Sequence, residues 1–248
     1  MHNIALLVSY EGTTYYGWQK TIAGPNIENT LQSACEQLLQ QPIILQAASR
    51  TDRGVHASGQ CVNFFCNKPN LDCSKILLGL NALLPPCIRI LDVSVKHETF
   101  HPTIDCTAKE YHYQICLGKV QRPQHRLFSW HCPYELDFER MNVAAKSLEG
   151  EHDFSAFCNG QKNTHYAHYR RHINEIDIQI AQENRCLIRV KGNHFLYKMV
   201  RNIVGTLVMV GRKKMIAEEI GQLLQSKDRR LIGQTAPACG LTLFKVYY

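Results

Sequence analysis

Six segments within the first 95 residues narrow the choice of fold. Residues 4–10 form an apolar, strand-like run. After Pro25, Ile27, Leu31, Ala34, Leu38 and Leu39 recur at helical spacing, which predicts a helix over 27–40. Two strand-like runs follow, Ile43 to Ala48 and Gln60 to Cys66. A second helix is predicted over 74–84, with Ile76, Leu77, Leu80, Leu83 and Leu84 on one side. Pro85-Pro86 stops it, because proline lacks the backbone donor and its ring clashes with the preceding turn. Ile88 to Val95 is again a strand. The order is β-α-β-β-α-β, a ferredoxin-like unit.

The remainder repeats that order with longer insertions and no residue-level repeat. In Ala108 to Ile115, strict alternation puts Tyr111, Tyr113, Ile115 and Leu117 on one face of a strand. A polar, proline-bearing segment with Arg122, Arg126 and Trp130 leads to a helix over 138–148. Residues 151–172 mix aromatics, histidines and Arg170-Arg171, and read as a long loop. Strands over 173–180 and 186–190, an apolar helix over 196–210, a shorter helix over 216–225 and a strand over 241–247 complete the chain. The expected class is α+β: two ferredoxin-like halves, 1–105 and 106–248, sharing a continuous, mostly antiparallel sheet flanked by helices.

A chain of 248 residues, 45% hydrophobic and 20% charged, has enough apolar side chains for a packed core, which excludes a disordered chain. The net charge of +7 suits a polyanionic partner such as RNA. Eleven cysteines, none spaced as CxxC and most in apolar stretches, read as reduced, buried thiols of a cytosolic protein. A disulfide framework or structural zinc is not expected. The N-terminal apolar run is too short for a signal peptide and has no basic start. The apolar helix near 196–210 contains Lys198 and Arg201, so it is not read as a membrane span.

Between two of the predicted strands lies Arg50-Thr51-Asp52-Arg53-Gly54-Val55-His56-Ala57. Positive charge on both sides favours the anionic form of Asp52. An ionised carboxylate on a rigid loop acts as a base or nucleophile. Taken alone, however, the loop reads more simply as an Asx-type turn with a surface ion pair. Tyr111 is either a core residue or a planar face for stacking on a base. Arg201 lies among apolar helical positions and needs a partner. It either snorkels to water or pairs with a carboxylate, for which Asp52 is the candidate. Gly205, one turn on, permits close approach of another backbone. Arg122, Arg126, Arg170-Arg171, Arg212-Lys213-Lys214 and Arg229-Arg230, with Tyr15, Tyr16, Trp18 and Tyr166, suit an RNA-binding surface or simply solvated charge. The 12 histidines show no metal-ligand spacing, and no phosphate loop or dinucleotide fingerprint occurs.

Several segments, in this order, resemble the TruA family of tRNA pseudouridine synthases. The loop from Arg50 to Ala57 is similar to the family's signature. So are Tyr10-Glu11-Gly12-Thr13 with Tyr16-Gly17-Trp18-Gln19, Asn81-Ala82-Leu83-Leu84-Pro85, and Phe100-His101-Pro102. Further matches are Lys109-Glu110-Tyr111-His112-Tyr113, the segment from Gly150 to Phe157, the segment from Phe195 to Gly205, and Ala236-Pro237-Ala238-Cys239-Gly240-Leu241. The resemblance implies the pseudouridine synthase fold and a cytoplasmic homodimer that binds the anticodon arm of tRNA. It implies isomerisation of uridine to pseudouridine at tRNA positions 38, 39 and 40, without cofactor or metal. It makes Asp52 the catalytic aspartate, Tyr111 the tyrosine stacked on the target uracil and Arg201 the partner of the aspartate. Arg50 then lies beside the flipped nucleotide, and Leu241 forms an apolar wall. Arg53 is a departure, since the family commonly has alanine there. The alternative is a catalytically impaired tRNA-binding protein on the same scaffold, and a third reading is a synthase acting on other RNAs.

Overall fold

The computed structural model describes residues 1–69, 71–160, 166–181 and 184–248. Among the described residues, ten strands form a mixed, mostly antiparallel sheet accompanied by five α-helices, as an α+β chain should. The chain divides into two compact units, residues 1–107 with 242–248, and residues 108–241.

The first unit follows the order read from its sequence. It contains β1 (His2–Tyr10), α1 (Ile27–Leu39), β2 (Gln46–Ala47), β3 (His56–Cys66), α2 (Cys73–Leu83) and β4 (Ile88–Lys96). β1 is central, antiparallel to β3 and β4, and β2 pairs with β3. α1 begins where Asn26 caps it by accepting from the Asn29 amide at 2.9 Å, and it buries Ile27, Leu31, Ala34, Cys35 and Leu39. Asp72 caps α2 in the same way through the Ser74 and Lys75 amides. Two strand boundaries differ from expectation. The run from Ile43 is shortened to Gln46–Ala47, because the Ile43 amide donates to the Glu36 carboxylate at 3.2 Å rather than to a strand. β3 starts four residues earlier than Gln60, through Gly59, where a side chain has no room: a Cβ there would lie 2.5 Å from the Phe244 carbonyl oxygen. That neighbour belongs to the last strand, β10 (Leu241–Tyr247), which runs parallel to β3 with Thr242 opposite His56 and Leu243 opposite Ala57.

The second unit holds β5 (Ala108–Leu117), β6 (Trp130–Cys132), α3 (Phe138–Lys146), β7 (Gly150–Asp153), β8 (Arg170–Ala181), β9 (Arg185–Gly192), α4 (Met199–Gly211) and α5 (Ile220–Ser226). Its strands lie in the order β5-β9-β8-β7, all antiparallel neighbours, and the short β6 is parallel to β5. The expected long loop over 151–172 is overturned at both ends. Gly150–Asp153 pairs with β8 from Ile173 back to Arg170, and Ser155–Phe157 forms a 3-10 turn. Residues 161–165 of that stretch lie outside the described residues. Eleven of the 13 residues of α4 are buried, as expected of a helix apolar nearly all round. Among the described residues no helix is long and apolar enough to cross a membrane.

All 11 cysteines carry free thiols, and Cys73, Cys87 and Cys239 alone are partly exposed. Burial pushes the Cys35 and Cys186 thiols up to about 12. The thiolate is the reactive form. In a timed iodoacetamide reaction at pH 7.5 read by peptide mass spectrometry, Cys73 and Cys87 are expected to label first. Cys35 and Cys186 should label only with global unfolding; early modification of either would contradict their packing.

Candidate active site

The loop carrying Asp52 is fixed in the first unit from both ends and along its backbone. Ala48 N donates to Cys61 O at 2.9 Å. The fully buried Gln60 side chain donates to Ser49 O at 2.6 Å and accepts from Ser49 N at 3.2 Å. A polar side chain in an apolar strand is stable there because both of its ends are satisfied. Thr51 is held by its hydroxyl on the Tyr10 hydroxyl at 2.8 Å and by its carbonyl, which accepts from Trp18 N at 3.0 Å. The turn closes as Val55 N donates to Asp52 O at 3.1 Å, with Gly54 at φ +79.

The aromatic turn after β1 lies directly on this loop. Gly17 has φ +94, and a Cβ there would stand 2.6 Å from Thr51 O. At Gly12 a Cβ would stand 1.9 Å from Val55 O, and the Gly12 amide donates to His56 Nδ1 at 3.1 Å. Glycine at these two positions therefore allows backbone to pack on backbone. Asp52 is half-buried, whereas Arg50 and Arg53 are exposed. The two arginines do not form a symmetric pair around the carboxylate: the Arg53 guanidinium carbon lies 4.0 Å from the centroid of the Tyr16 ring.

The second unit places the other expected residues. Tyr111 is buried in β5, edge-on to Phe195 with ring centroids 5.1 Å apart. Tyr113, on the same face, is fully buried and donates from its hydroxyl to Pro237 O at 2.8 Å. Burial raises its phenol well above the usual range, Cys239 adds to this, and nearby Arg201 opposes it, so it stays a neutral donor. Arg201, half-buried on α4, donates from Nε to Ala236 O at 2.8 Å, and Ala236 N donates back to Arg201 O at 3.1 Å. Gly240 packs against the Tyr113 ring, where a Cβ would be 2.6 Å from Cε1, and Leu241 follows, buried. One unit thus gathers Tyr111's strand, Arg201 and the turn into Leu241. Arg50 and Asp52 share the loop of the other.

Four features were not anticipated from the sequence. Asn202, fully buried on α4, accepts from Thr235 Oγ1 at 2.7 Å and from Arg229 Nη2 at 3.0 Å, and donates to Phe157 O at 2.7 Å and Asn159 Oδ1 at 2.8 Å. Arg229, one of the arginines ascribed to a surface, is instead a partly buried brace of the segment over 233–236, also donating to Gly233 O and Thr235 Oγ1. The signal was the lone Asn202 amid apolar helical positions, which demanded partners. In the residues following β9, burial and then the charges of Lys109, at the start of β5, and Arg171 push the His194 imidazole down. Lys198, immediately before α4, has φ +59, a backbone conformation that costs energy in a residue with a side chain. Among the described residues, no group of three or more His, Cys, Asp and Glu is arranged to hold a metal ion.

The tRNA pseudouridine synthase family matches residues 6–103 and 144–248. The chain is 54% identical over 248 residues to tRNA pseudouridine synthase A 2 of Protochlamydia amoebophila (strain UWE25), covering all of this chain and 95% of that one. It is 37% identical over 248 residues to tRNA pseudouridine synthase A of Thermotoga sp. (strain RQ2), each chain covered completely. It is 40% identical over 247 residues to tRNA pseudouridine synthase A of Chlamydia muridarum (strain MoPn / Nigg), covering 99% of this chain and 91% of that one. Matches of this length run through the Asp52 loop and through α4 alike, and the chain belongs to the tRNA pseudouridine synthase family.

Proposed function

We propose that the protein isomerises uridine to pseudouridine at positions 38, 39 and 40 in the anticodon stem-loop of tRNA, with Asp52 as the catalytic nucleophile. The observation that supports this most is the Asp52 loop itself. Its half-buried carboxylate is mounted on backbone held by Gln60, Tyr10 and Trp18. Such a mount fixes the geometry of attack before substrate arrives. The target uridine must leave the helical stack to reach it. The bond from uracil N1 to C1′ breaks, the base turns, and C5 bonds to C1′. C5 loses its proton and N1 gains one, so substrate and product are isomers and no oxidant or reductant is needed.

In this reading Tyr111 stacks on the uracil during rotation, its ring held in place by Phe195. Arg201 is the partner assigned to Asp52. Arg50 sits beside the flipped nucleotide and Leu241 walls the pocket. The homodimer and the cytoplasmic location belong to the same reading. Nothing among the described residues favours an impaired binding protein.

Carbodiimide modification of product tRNA followed by primer extension tests the assignment, since pseudouridine leaves a stop. Stops at positions 38 to 40 are expected with purified protein and unmodified tRNA transcripts; their absence across a set of tRNAs would remove the activity. Tyr111→Phe is expected to retain more activity than Tyr111→Ala, because the stacking face survives. Base–aromatic stacking is worth about 1–3 kcal/mol, so the alanine variant should lose about tenfold or more. Equal activity in all three proteins would take Tyr111 out of the site.

A further inference from the structure

The Arg53 side chain is given nothing to do by the loop that holds Asp52, yet it is not left loose. Its guanidinium lies 4.0 Å above the Tyr16 ring, while the residue remains exposed and forms no ion pair among the described residues. Tyr16 is itself fixed: its amide donates to Pro25 O at 2.8 Å, and Gly24 packs so closely that a Cβ there would be 2.5 Å from its Cε2 atom. Gly17, next to Tyr16, lies on the carbonyl of Thr51, next to Asp52. The two halves of the stack are therefore mounted on the same backbone-to-backbone contact that positions the carboxylate.

An exposed guanidinium over an aromatic ring still has N–H donors to offer an anion. The planar fork of a guanidinium matches the two oxygens of a phosphate in a bidentate pair. The aromatic support holds the guanidinium in place in advance, so less rotamer entropy is lost when a phosphate arrives. A flexible lysine at this position offers neither advantage.

We infer that the Arg53–Tyr16 stack is a phosphate-binding ledge that grips one backbone phosphate of the RNA strand next to the nucleotide presented to Asp52. This rests on the proposed RNA substrate and adds to it a specific binding residue. Arg53 does not touch the reacting atoms in this assignment. It contributes to binding and to the register of the strand.

The test uses purified full-length protein and anticodon stem-loop RNAs, one unmodified and a series each carrying a single neutral methylphosphonate linkage near position 39. Arg53→Ala is expected to raise KM and Kd for the unmodified RNA about tenfold, the scale of one charge-assisted contact, with kcat within about twofold of wild type. The slope of log K against log salt should fall by about 0.7–0.9. Arg53→Lys should keep that slope but recover only part of the affinity. Tyr16→Leu should weaken binding in the same direction and add little when combined with Arg53→Ala. One methylphosphonate linkage should cost wild type about tenfold and Arg53→Ala nothing further, which a merely structural defect in the loop would not produce.

An Arg53→Ala protein with unchanged binding and salt slope overturns the inference. So does one that loses kcat while KM stays, or a linkage series that affects both proteins alike. The proposed function fails separately: wild type would then form no pseudouridine in any tRNA transcript, whatever the linkage series shows about RNA binding.

Discussion

Asp52→Asn is expected to abolish pseudouridine formation while the RNA remains bound. Asparagine has nearly the same shape, and the loop is held largely by Gln60, Tyr10, Trp18 and the Asp52 carbonyl rather than by the carboxylate alone. The substitution therefore removes the charge and leaves the mount. An amide is neither an effective nucleophile nor a base, and loss of a nucleophile in other enzymes costs many orders of magnitude. A fall of more than about 10³-fold in single-turnover rate is expected, with Kd for tRNA changed by less than about threefold. Primer-extension stops and filter binding read the two quantities on one preparation. Stops at positions 38 to 40 that accumulate at the wild-type rate would remove Asp52 from the chemistry.

The second large effect concerns Gly205. In an exposed helix, glycine to alanine gains up to about 1 kcal/mol. At Gly205 the sign reverses, because a Cβ would lie 1.7 Å from the Gln234 carbonyl oxygen and 2.9 Å from its carbon. Backbone cannot rotate out of the way as a side chain can, and overpacking typically costs 1–3 kcal/mol. Gly205→Ala is expected to destabilise by about 2–3 kcal/mol, a fall in Tm of about 5–10 °C for a chain of this size. The displaced segment includes Ala236, whose carbonyl receives Arg201 Nε, so activity should fall as well. Gly221 on α5 is the internal control, since nothing lies within 4 Å of the Cβ it would gain. Gly221→Ala should leave Tm unchanged or raise it. Matching Tm values for the two variants would show that the close approach at Gly205 is not maintained in solution.

The elements that were legible are those with a long period. α1, α2 and α4 show helical spacing over three or more turns, and β5 alternates from Lys109 to Ile115. β6 is three residues long and β7 is Gly-Glu-His-Asp, so neither shows a period, and both form because a neighbouring strand offers backbone partners. The early start of β3 was hidden for a related reason. His56 to Gln60 contains a glycine and polar residues, and it becomes a strand because β1 pairs with it at Ala57 and Gln60 and β10 at His56 and Ala57. For the site, local chemistry pointed to Asp52 only weakly, and the family resemblance made the choice. Asn202 was visible as an anomaly without its partners, and the stack of Arg53 on Tyr16 was not visible, since 36 intervening residues separate the two.

The parallel pairing of β10 with β3 also bears on biosynthesis. Residues 242–248 complete the first unit: Thr107 N donates to Tyr247 O at 2.9 Å, the Tyr248 hydroxyl donates to Pro102 O at 3.0 Å, and Thr242 pairs beside His56, four residues from Asp52. On the ribosome these residues emerge only after the whole second unit has been made. Until then the edge of β3 next to the Asp52 loop lacks its partner strand, and closing so long a loop is slow. A nascent chain therefore completes the β3 edge beside the Asp52 loop last.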